Sequence, residues 1–155
     1  MNLVKRRILD QIRPWLDSPH ILVIRGARRA GKTTLLHQVR KELEQKGYRV
    51  LYQAVDQMLY EPWFKDPLSF EAWLKQEGQL GDKQLYLLLD EAQYLPDAGL
   101  YLKVLHDRLS PRVKMIISGS SSLELTKTRE FLTGRKMPFI FPRSAFPFGP
   151  LNEKG

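Results

Sequence analysis

The sequence contains no cysteine, which excludes disulfide scaffolds, cysteine-based zinc sites and thiol nucleophiles. Its three histidines, His20, His37 and His106, lie far apart and lack the close spacing of metal ligands. Asparagine occurs only at Asn2 and Asn152, and lysine follows neither of them. The Asn-Lys-x-Asp motif with which GTPases read guanine is therefore absent, which argues against a GTPase.

Long apolar runs are also missing. No segment approaches the roughly 20 consecutive apolar residues that span a bilayer. The N-terminal sequence MNLVKRRILDQIRPWL has neither the continuous apolar centre nor the small-residue cleavage site of a signal peptide. These features favour a cytoplasmic location and predict no membrane partner.

The composition is that of a globular protein with an excess of positive charge. The 155 residues are 43% hydrophobic, which fits one domain with a sizeable core. Lysine and arginine number 25 against 17 acidic residues, and the net charge is +8. This charge favours an anionic partner such as phosphate, nucleic acid or a membrane surface, and does not choose among them.

An amphipathic helix is predicted at the N-terminus, over residues 2–17. Its apolar residues recur at helical spacing: Ile8, Leu9, Ile12, Trp15 and Leu16. Pro14 predicts a kink near the end of the helix. We expect the apolar side to pack on the protein's own sheet rather than on a membrane.

Apolar runs and amphipathic segments alternate along the rest of the chain. The runs predict strands over residues 21–26, 48–55, 84–90, 113–119 and 137–141. Helices are predicted over residues 32–46, from Asp66 and Pro67 to near Gly78, and over residues 99–109. Gly47 ends the first of these helices. This pattern predicts an α/β fold with a mostly parallel sheet between two helical layers, whose ligands bind beyond the carboxyl ends of the strands.

The first strand is followed by a complete G-x-x-x-x-G-K-S/T motif that opens the next helix. Its glycines permit backbone shapes that side chains would block, so that successive N–H groups can surround phosphate oxygens. Lys32 would contact the β- and γ-phosphates, and Thr33 would offer its hydroxyl to Mg²⁺. The predicted nucleotide-binding residues are Gly26, Ala27, Arg28, Arg29, Ala30, Gly31, Lys32, Thr33 and Thr34. Arg28 and Arg29 either touch phosphate or face water.

A second motif ends the strand over residues 84–90, where an aliphatic run delivers Asp90 and Glu91. Adjacent residues of an extended strand point to opposite sides, so the two carboxylates can have different roles. Asp90 is predicted to hold Mg²⁺, directly or through its water. Glu91 is predicted to orient and deprotonate the attacking water.

Two further motifs provide candidate catalytic residues. Small polar residues at 118–122 follow the apolar strand segment 113–117, and they either sense the γ-phosphate or cap a helix that starts at Leu123. Ser118 is preferred to Ser120 as the sensor because it is expected to end the strand. Arg135, which follows Gly134 before the last strand, is either an arginine finger or a solvated side chain.

These motifs and their order resemble the prokaryotic AAA-type ATPases of the AAA_14 group. The resemblance rests on GARRAGKTTL, LYLLLDEAQ followed by Tyr-Leu-Pro, IISGSSS and LTGR, and it covers residues 1–142. It implies a P-loop core with strand order 5-1-4-3-2, ATP and Mg²⁺ as ligands, and site roles for Lys32, Thr33, Asp90, Glu91, a sensor serine and Arg135.

Family members continue beyond this point into further C-terminal segments, and residues 143–155 depart from their pattern. We therefore expect a fragment of a longer protein, whose missing C-terminal domain is one candidate partner. ATP hydrolysis is the predicted activity. Two alternatives remain: a nucleotide-gated interaction module with little turnover, and a nucleic-acid-stimulated ATPase. The aromatic stretch over residues 60–64 either forms a partner surface for such a module or packs on the sheet.

Overall fold

Strands and helices alternate in the computed structural model, which describes residues 3–27, 31–120 and 136–141. The helices are α1 (Leu3–Ile12), α2 (Lys32–Gln45), α3 (Pro67–Gln76) and α4 (Ala98–Leu109). The strands are β1 (Ile21–Gly26), β2 (Arg49–Ala54), β3 (Leu85–Asp90), β4 (Val113–Ser120) and β5 (Lys136–Phe141). These bounds lie within a few residues of those expected from the apolar pattern.

The described strands form one five-stranded sheet in the order β2-β3-β4-β1-β5. Every neighbouring pair is parallel, so the carboxyl ends of all five strands meet at one edge. At that edge Gly26 pairs with Ser120 and Phe141, and Ala54 pairs with Asp90. The predicted α/β P-loop fold and its strand order are confirmed.

Two apolar clusters lie on opposite faces of the sheet. Leu22 and Ile24 of β1 pack with α1 and α2, whereas Ile21 and Val23 pack with α3 and α4. This separation follows from the two-residue period of a strand, because successive side chains point to opposite faces. Consecutive apolar residues at 21–24 of β1 and 85–89 of β3 therefore fill both faces, as in other parallel sheets covered by helices.

The N-terminal helix packs on the sheet as expected. Ile8, Leu9, Ile12 and Leu16 are buried in the cluster that contains α2 and the even-numbered β1 residues. The α-helical part ends at Ile12, and a 3-10 helix over Arg13–Trp15 contains Pro14 in its first turn. Among the described residues, no helix combines the length and the hydropathy that a membrane span requires.

Local signals set the ends of the next two helices. Gly47, with φ of +87°, follows α2, and such a left-handed conformation favours glycine. At α3, the Asp66 carboxylate accepts a hydrogen bond of 2.7 Å from the Ser69 N–H, and Pro67 occupies the first turn. This backbone hydrogen bond lowers the pKa of Asp66 below its ordinary value.

The aromatic stretch over residues 60–64 divides between solvent and core. Tyr60 is 97% exposed, but Phe64 is only 2% exposed and accepts a hydrogen bond on its carbonyl from the Tyr101 hydroxyl at 3.0 Å. The Trp63 ring stacks on Trp73 of α3 at 3.9 Å. The alternative in which this whole stretch forms an exposed partner surface is therefore wrong, because two of its three aromatic rings pack against neighbouring rings.

Lys114 connects the start of β4 to the segment between α1 and β1. Its side chain is buried, and Nζ donates hydrogen bonds to the Ser18 carbonyl at 2.6 Å, the Ser18 hydroxyl at 3.0 Å and the His20 carbonyl at 2.5 Å. Burial lowers the pKa of Lys114 to about 8. The charged amine is thus held by neutral oxygens in a poorly hydrated place.

We predict that Lys114 makes the free energy of unfolding rise with pH between about 8 and 10.5, its pKa in the folded protein and its ordinary value. In this interval the unfolded chain binds more protons than the folded chain, so raising the pH favours folding. Urea unfolding at a series of pH values should show this rise in the wild type and a smaller one in Lys114→Met. Equal pH dependence in the two proteins would contradict the prediction.

Candidate functional site

One glycine of the phosphate-binding motif has a backbone conformation that suits a phosphate site. Gly31, with φ of +103°, is the N-cap of α2 and adopts a left-handed conformation that other residues rarely take. Gly26 instead lies in β1 as a paired strand residue. The left-handed conformation is therefore found at Gly31, and the role expected of Gly26 stays a prediction. The helix that starts at Lys32 directs its positive end toward this loop.

The Lys32 side chain folds back toward the end of β1. Its side chain is 6% exposed, and Nζ donates hydrogen bonds to the carbonyls of Gly26 at 3.0 Å and Ala27 at 2.7 Å. These contacts place a cation at the junction of β1 and the loop. A phosphate bound to the loop would meet this ammonium group directly.

The carboxylate of Asp90, which ends β3, is the centre of the site and is 3% exposed. Its Oδ2 accepts hydrogen bonds from the Thr33 hydroxyl at 2.8 Å and from the Tyr52 hydroxyl at 2.6 Å. Its Oδ1 accepts from the Ser118 hydroxyl and from the Glu91 N–H at 3.1 Å. The carboxylate is thereby fixed by α2, β2, β4 and its own neighbour in the chain.

Thr33 and Asp90 supply the kind of atoms that Mg²⁺ binds, a hydroxyl and a carboxylate oxygen 2.8 Å apart. Within the part of the chain that the structure describes, no group of three or more histidine, aspartate or glutamate residues could hold a metal ion. Magnesium commonly keeps several waters and binds through one carboxylate and substrate phosphates. This pair of residues therefore fits magnesium whose other ligands come from nucleotide and water.

Tyr52 is a site residue that the sequence analysis missed. Burial, reinforced by the hydrogen bond to Asp90, raises the pKa of its phenol well above the ordinary value, so the hydroxyl remains a donor at neutral pH. The Tyr52 ring lies 4.6 Å from the ring of His37 on α2. The feature that could have indicated Tyr52 as a site residue is its position near the carboxyl end of β2, beside the strand that carries Asp90.

Glu91 does not continue the strand. β3 ends at Asp90, and Glu91 has φ of 60° and ψ of 47°, in the left-handed region. The expectation that Asp90 and Glu91 alternate along an extended strand is therefore wrong. This conformation costs energy for a residue other than glycine, and hydrogen bonds from the Glu91 N–H to Asp90 and to the Ser118 hydroxyl, both at 3.1 Å, help to offset it.

Ser118 lies inside β4 and not at its end, because the strand continues to Ser120. The expectation that Ser118 ends the strand, on which its preference over Ser120 as the sensor rested, is therefore wrong. Ser118 is nonetheless part of the site: its buried hydroxyl donates to Asp90 and accepts from the Glu91 N–H. Contact of Ser118 with a γ-phosphate stays a prediction.

The structure places most, but not all, of the predicted site residues. Nine of them lie at or beside the carboxyl edge of the sheet: Gly26, Ala27, Gly31, Lys32, Thr33, Thr34, Asp90, Glu91 and Ser118. The described residues do not include Arg28, Arg29, Ala30, Arg135 or the helix expected from Leu123. Their predicted roles stay predictions.

We predict that Ser118→Ala lowers the free energy of unfolding by about 1–2 kcal/mol, because it removes a buried donor to Asp90 and an acceptor for the Glu91 N–H. Urea unfolding measures this change. Thr34→Ala removes an exposed hydroxyl from the same region and should change stability by less than about 0.5 kcal/mol. Equal stability of Ser118→Ala and the wild type would contradict the prediction.

Solved structures with this fold include a DnaA protein and an Orc1 protein. DnaA from Aquifex aeolicus, solved with bound AMPPCP, is similar over 99% of this chain and 50% of its own, with a TM-score of 0.59 and 19% sequence identity. The Orc1 protein of Aeropyrum pernix, solved in complex with DNA, is similar over 90% of this chain and 44% of its own, with a TM-score of 0.59 and 15% identity. At these identities the likeness shows the fold alone.

Sequence relatives identify the family. A Haemophilus influenzae protein is 30% identical over 145 residues, which are 90% of this chain and 36% of that protein. The protein MJ1637 of Methanocaldococcus jannaschii is 34% identical over 130 residues, or 81% of this chain and 27% of that protein. Both are described as uncharacterized, and the chain spans about a third of their length. The family AAA_14, described as an AAA domain, matches residues 18–147, and the chain belongs to this family.

Proposed function

We propose that this chain binds ATP with Mg²⁺ on residues 26–34 and hydrolyses it to ADP and phosphate. The observation that carries the proposal is the hydrogen bond of 2.8 Å between Thr33 and Asp90, which joins the phosphate-binding motif to the acidic end of β3. Membership of an AAA family and the nucleotide analogue bound to the similar DnaA structure support the same function.

Binding would use the backbone of the loop, the start of α2 and the Lys32 ammonium group. Lys32 now donates to the carbonyls of Gly26 and Ala27, both neutral acceptors. A phosphate oxygen carries negative charge and makes a stronger, charge-assisted hydrogen bond. We therefore expect Lys32 to exchange at least one carbonyl for a phosphate oxygen when ATP binds.

Thr33 and Asp90 would hold the magnesium ion of the ATP complex. Bound there, the ion would neutralise charge on the phosphates that bind the loop. Tyr52 and Ser118 hydrogen-bond opposite oxygens of Asp90 and so keep its carboxylate oriented. Thr33 lies on α2 and Asp90 on β3, so the oxygens proposed to hold the metal would be carried by a helix and a strand, which are more rigid supports than loops.

Hydrolysis would begin with a water molecule held by Glu91. The water oxygen forms a bond to the γ-phosphorus, the bond to the β–γ bridging oxygen breaks, and Glu91 accepts a proton from the water. ADP leaves with the electron pair of the broken bond. A guanidinium from Arg135 would stabilise the charge on the transferred group, and Ser118 or Ser120 would sense the γ-phosphate.

The chain accounts for only part of the length of its relatives, so the process that the whole protein serves is not set by this site. The Aeropyrum pernix Orc1 protein was solved in complex with DNA, and DNA binding is a property of that protein. The alternative for this chain is a module that binds ATP and rarely hydrolyses it, so that nucleotide orders a surface for a partner. Turnover separates these two functions, and binding alone does not.

We predict that Lys32→Ala lowers ATP affinity by at least about tenfold, because a buried cation at the phosphate loop is lost. Isothermal titration with a non-hydrolysable ATP analogue measures the affinity, and circular dichroism checks that the variant is folded. Lys41→Ala, which removes an exposed lysine from the same helix, is the matched control and should bind as the wild type does. Unchanged affinity in a folded Lys32→Ala protein would reject the assignment of the phosphate loop.

We predict that Glu91→Gln keeps ATP affinity and lowers kcat by about 10²–10⁴-fold, because the amide cannot accept the proton of the attacking water. Phosphate release under saturating ATP measures kcat. Glu61→Gln neutralises an exposed carboxylate away from the site and should keep full turnover. Undiminished turnover in Glu91→Gln would remove its role as the base, and a wild type that binds ATP without turnover would favour the binding module.

A further inference from the structure

The side-chain amide of Gln93 bridges Glu91 and the end of β4. Its Nε2 donates a hydrogen bond of 2.6 Å to Glu91 Oε1. Its Oε1 accepts a hydrogen bond of 3.0 Å from the backbone N–H of Ser120, the last residue of β4. Gln93 lies in the 3-10 helix over Ala92–Tyr94, which follows Glu91 directly. One side chain therefore connects the predicted base to a central strand of the sheet.

The chemistry of the partners fixes which way the amide points. A backbone N–H can only donate, so the atom that faces Ser120 must be the amide oxygen. The amide nitrogen is then directed at the Glu91 carboxylate, which can only accept when it is ionised. Both contacts are satisfied in this one orientation and both are lost when the amide flips. Gln93 is consequently held by Ser120 as a donor aimed at Glu91.

Glu91 has particular need of such a restraint. Its main chain is fixed at the end of β3, where its N–H donates to Asp90 and Ser118 at 3.1 Å. Its side chain is half-buried, and a long side chain that is not held samples several rotamers. Catalysis by a positioned base depends on placement, and displacement by about 1 Å can cost roughly 10²-fold in rate.

We infer that Gln93 is a positioning residue that holds the Glu91 carboxylate at a place set by β4. This inference rests on the proposed function and extends it. Gln93 acts through Glu91 and through the Ser120 N–H, and it has no part in binding the nucleotide. Because β4 also carries Ser118, a single strand then orients both Asp90 and Glu91.

The test compares kcat with nucleotide affinity in Gln93→Ala and Gln93→Glu. The first variant removes both hydrogen bonds, and the second keeps an acceptor for Ser120 but replaces the donor to Glu91 with a second carboxylate. We expect kcat to fall by about tenfold to a hundredfold in each, with the dissociation constant for a non-hydrolysable ATP analogue unchanged. Gln57→Glu adds the same charge in the nearby 3-10 helix over Val55–Gln57 and should keep the wild-type kcat.

A double-mutant cycle separates positioning from a merely structural role. In single-turnover assays with enzyme in excess, Gln93→Ala should cause no further loss of rate in the Glu91→Gln background, because the group that it positions is already inactive. In the nucleotide-free protein, the side-chain amide NMR signal of Gln93, assigned by its loss in Gln93→Ala, should shift in Glu91→Gln. A further loss of rate in the double variant, or an unshifted signal, would contradict the inference.

The possible failures are distinguishable. If the wild type binds no ATP or does not turn it over, the proposed function itself is wrong. If the wild type turns over and Glu91→Gln keeps full turnover, hydrolysis stands but Glu91 is not the base, and the positioning role of Gln93 fails with it. If Glu91→Gln loses turnover while both Gln93 variants turn over as fast as the wild type or faster, the proposed function stands and the role of Gln93 is wrong. Loss of nucleotide affinity in parallel with kcat would also overturn the positioning role, since binding would then depend on Gln93.

Discussion

The arrangement of the whole site depends on the hydrogen bonds that converge on Asp90. A buried carboxylate is costly unless hydrogen bonds and charge compensate it. Asp90 receives donors from Thr33 on α2, Tyr52 on β2 and Ser118 on β4, together with the N–H of Glu91. No local stretch of sequence contains all of these donors, so the site can form only when the fold brings the separate elements together.

The strand order explains why this convergence is possible. β3 lies between β2 and β4, and its carboxyl end is therefore flanked by Tyr52 on one side and Ser118 on the other. The helix that follows β1 brings Thr33 over the same edge. Parallel pairing places every strand end at this edge, which is the general location of ligand sites in such sheets. Gln93 extends the same connection from β4 to Glu91.

The sequence predicted those parts of the fold that depend on local or periodic signals. Asp66 and Gly47 mark helix ends through their own backbone and side-chain chemistry, and the apolar runs mark strands buried on both faces. The resemblance supplied the strand order. Sequence could not predict the turn of Glu91 into the left-handed region or the contact of Gln93 with Ser120, because both depend on neighbours in space.

The most direct test of the account is the effect of Mg²⁺ on the affinity for a non-hydrolysable ATP analogue in Thr33→Val and Thr34→Val. Valine replaces each hydroxyl with a methyl group of similar size, and Thr33 is the one of the two threonines whose hydroxyl is seen to hydrogen-bond Asp90. We expect Thr34→Val to keep the gain in affinity that Mg²⁺ gives the wild type and Thr33→Val to lose it. A full magnesium-dependent gain in Thr33→Val would show that Thr33 and Asp90 do not hold the ion.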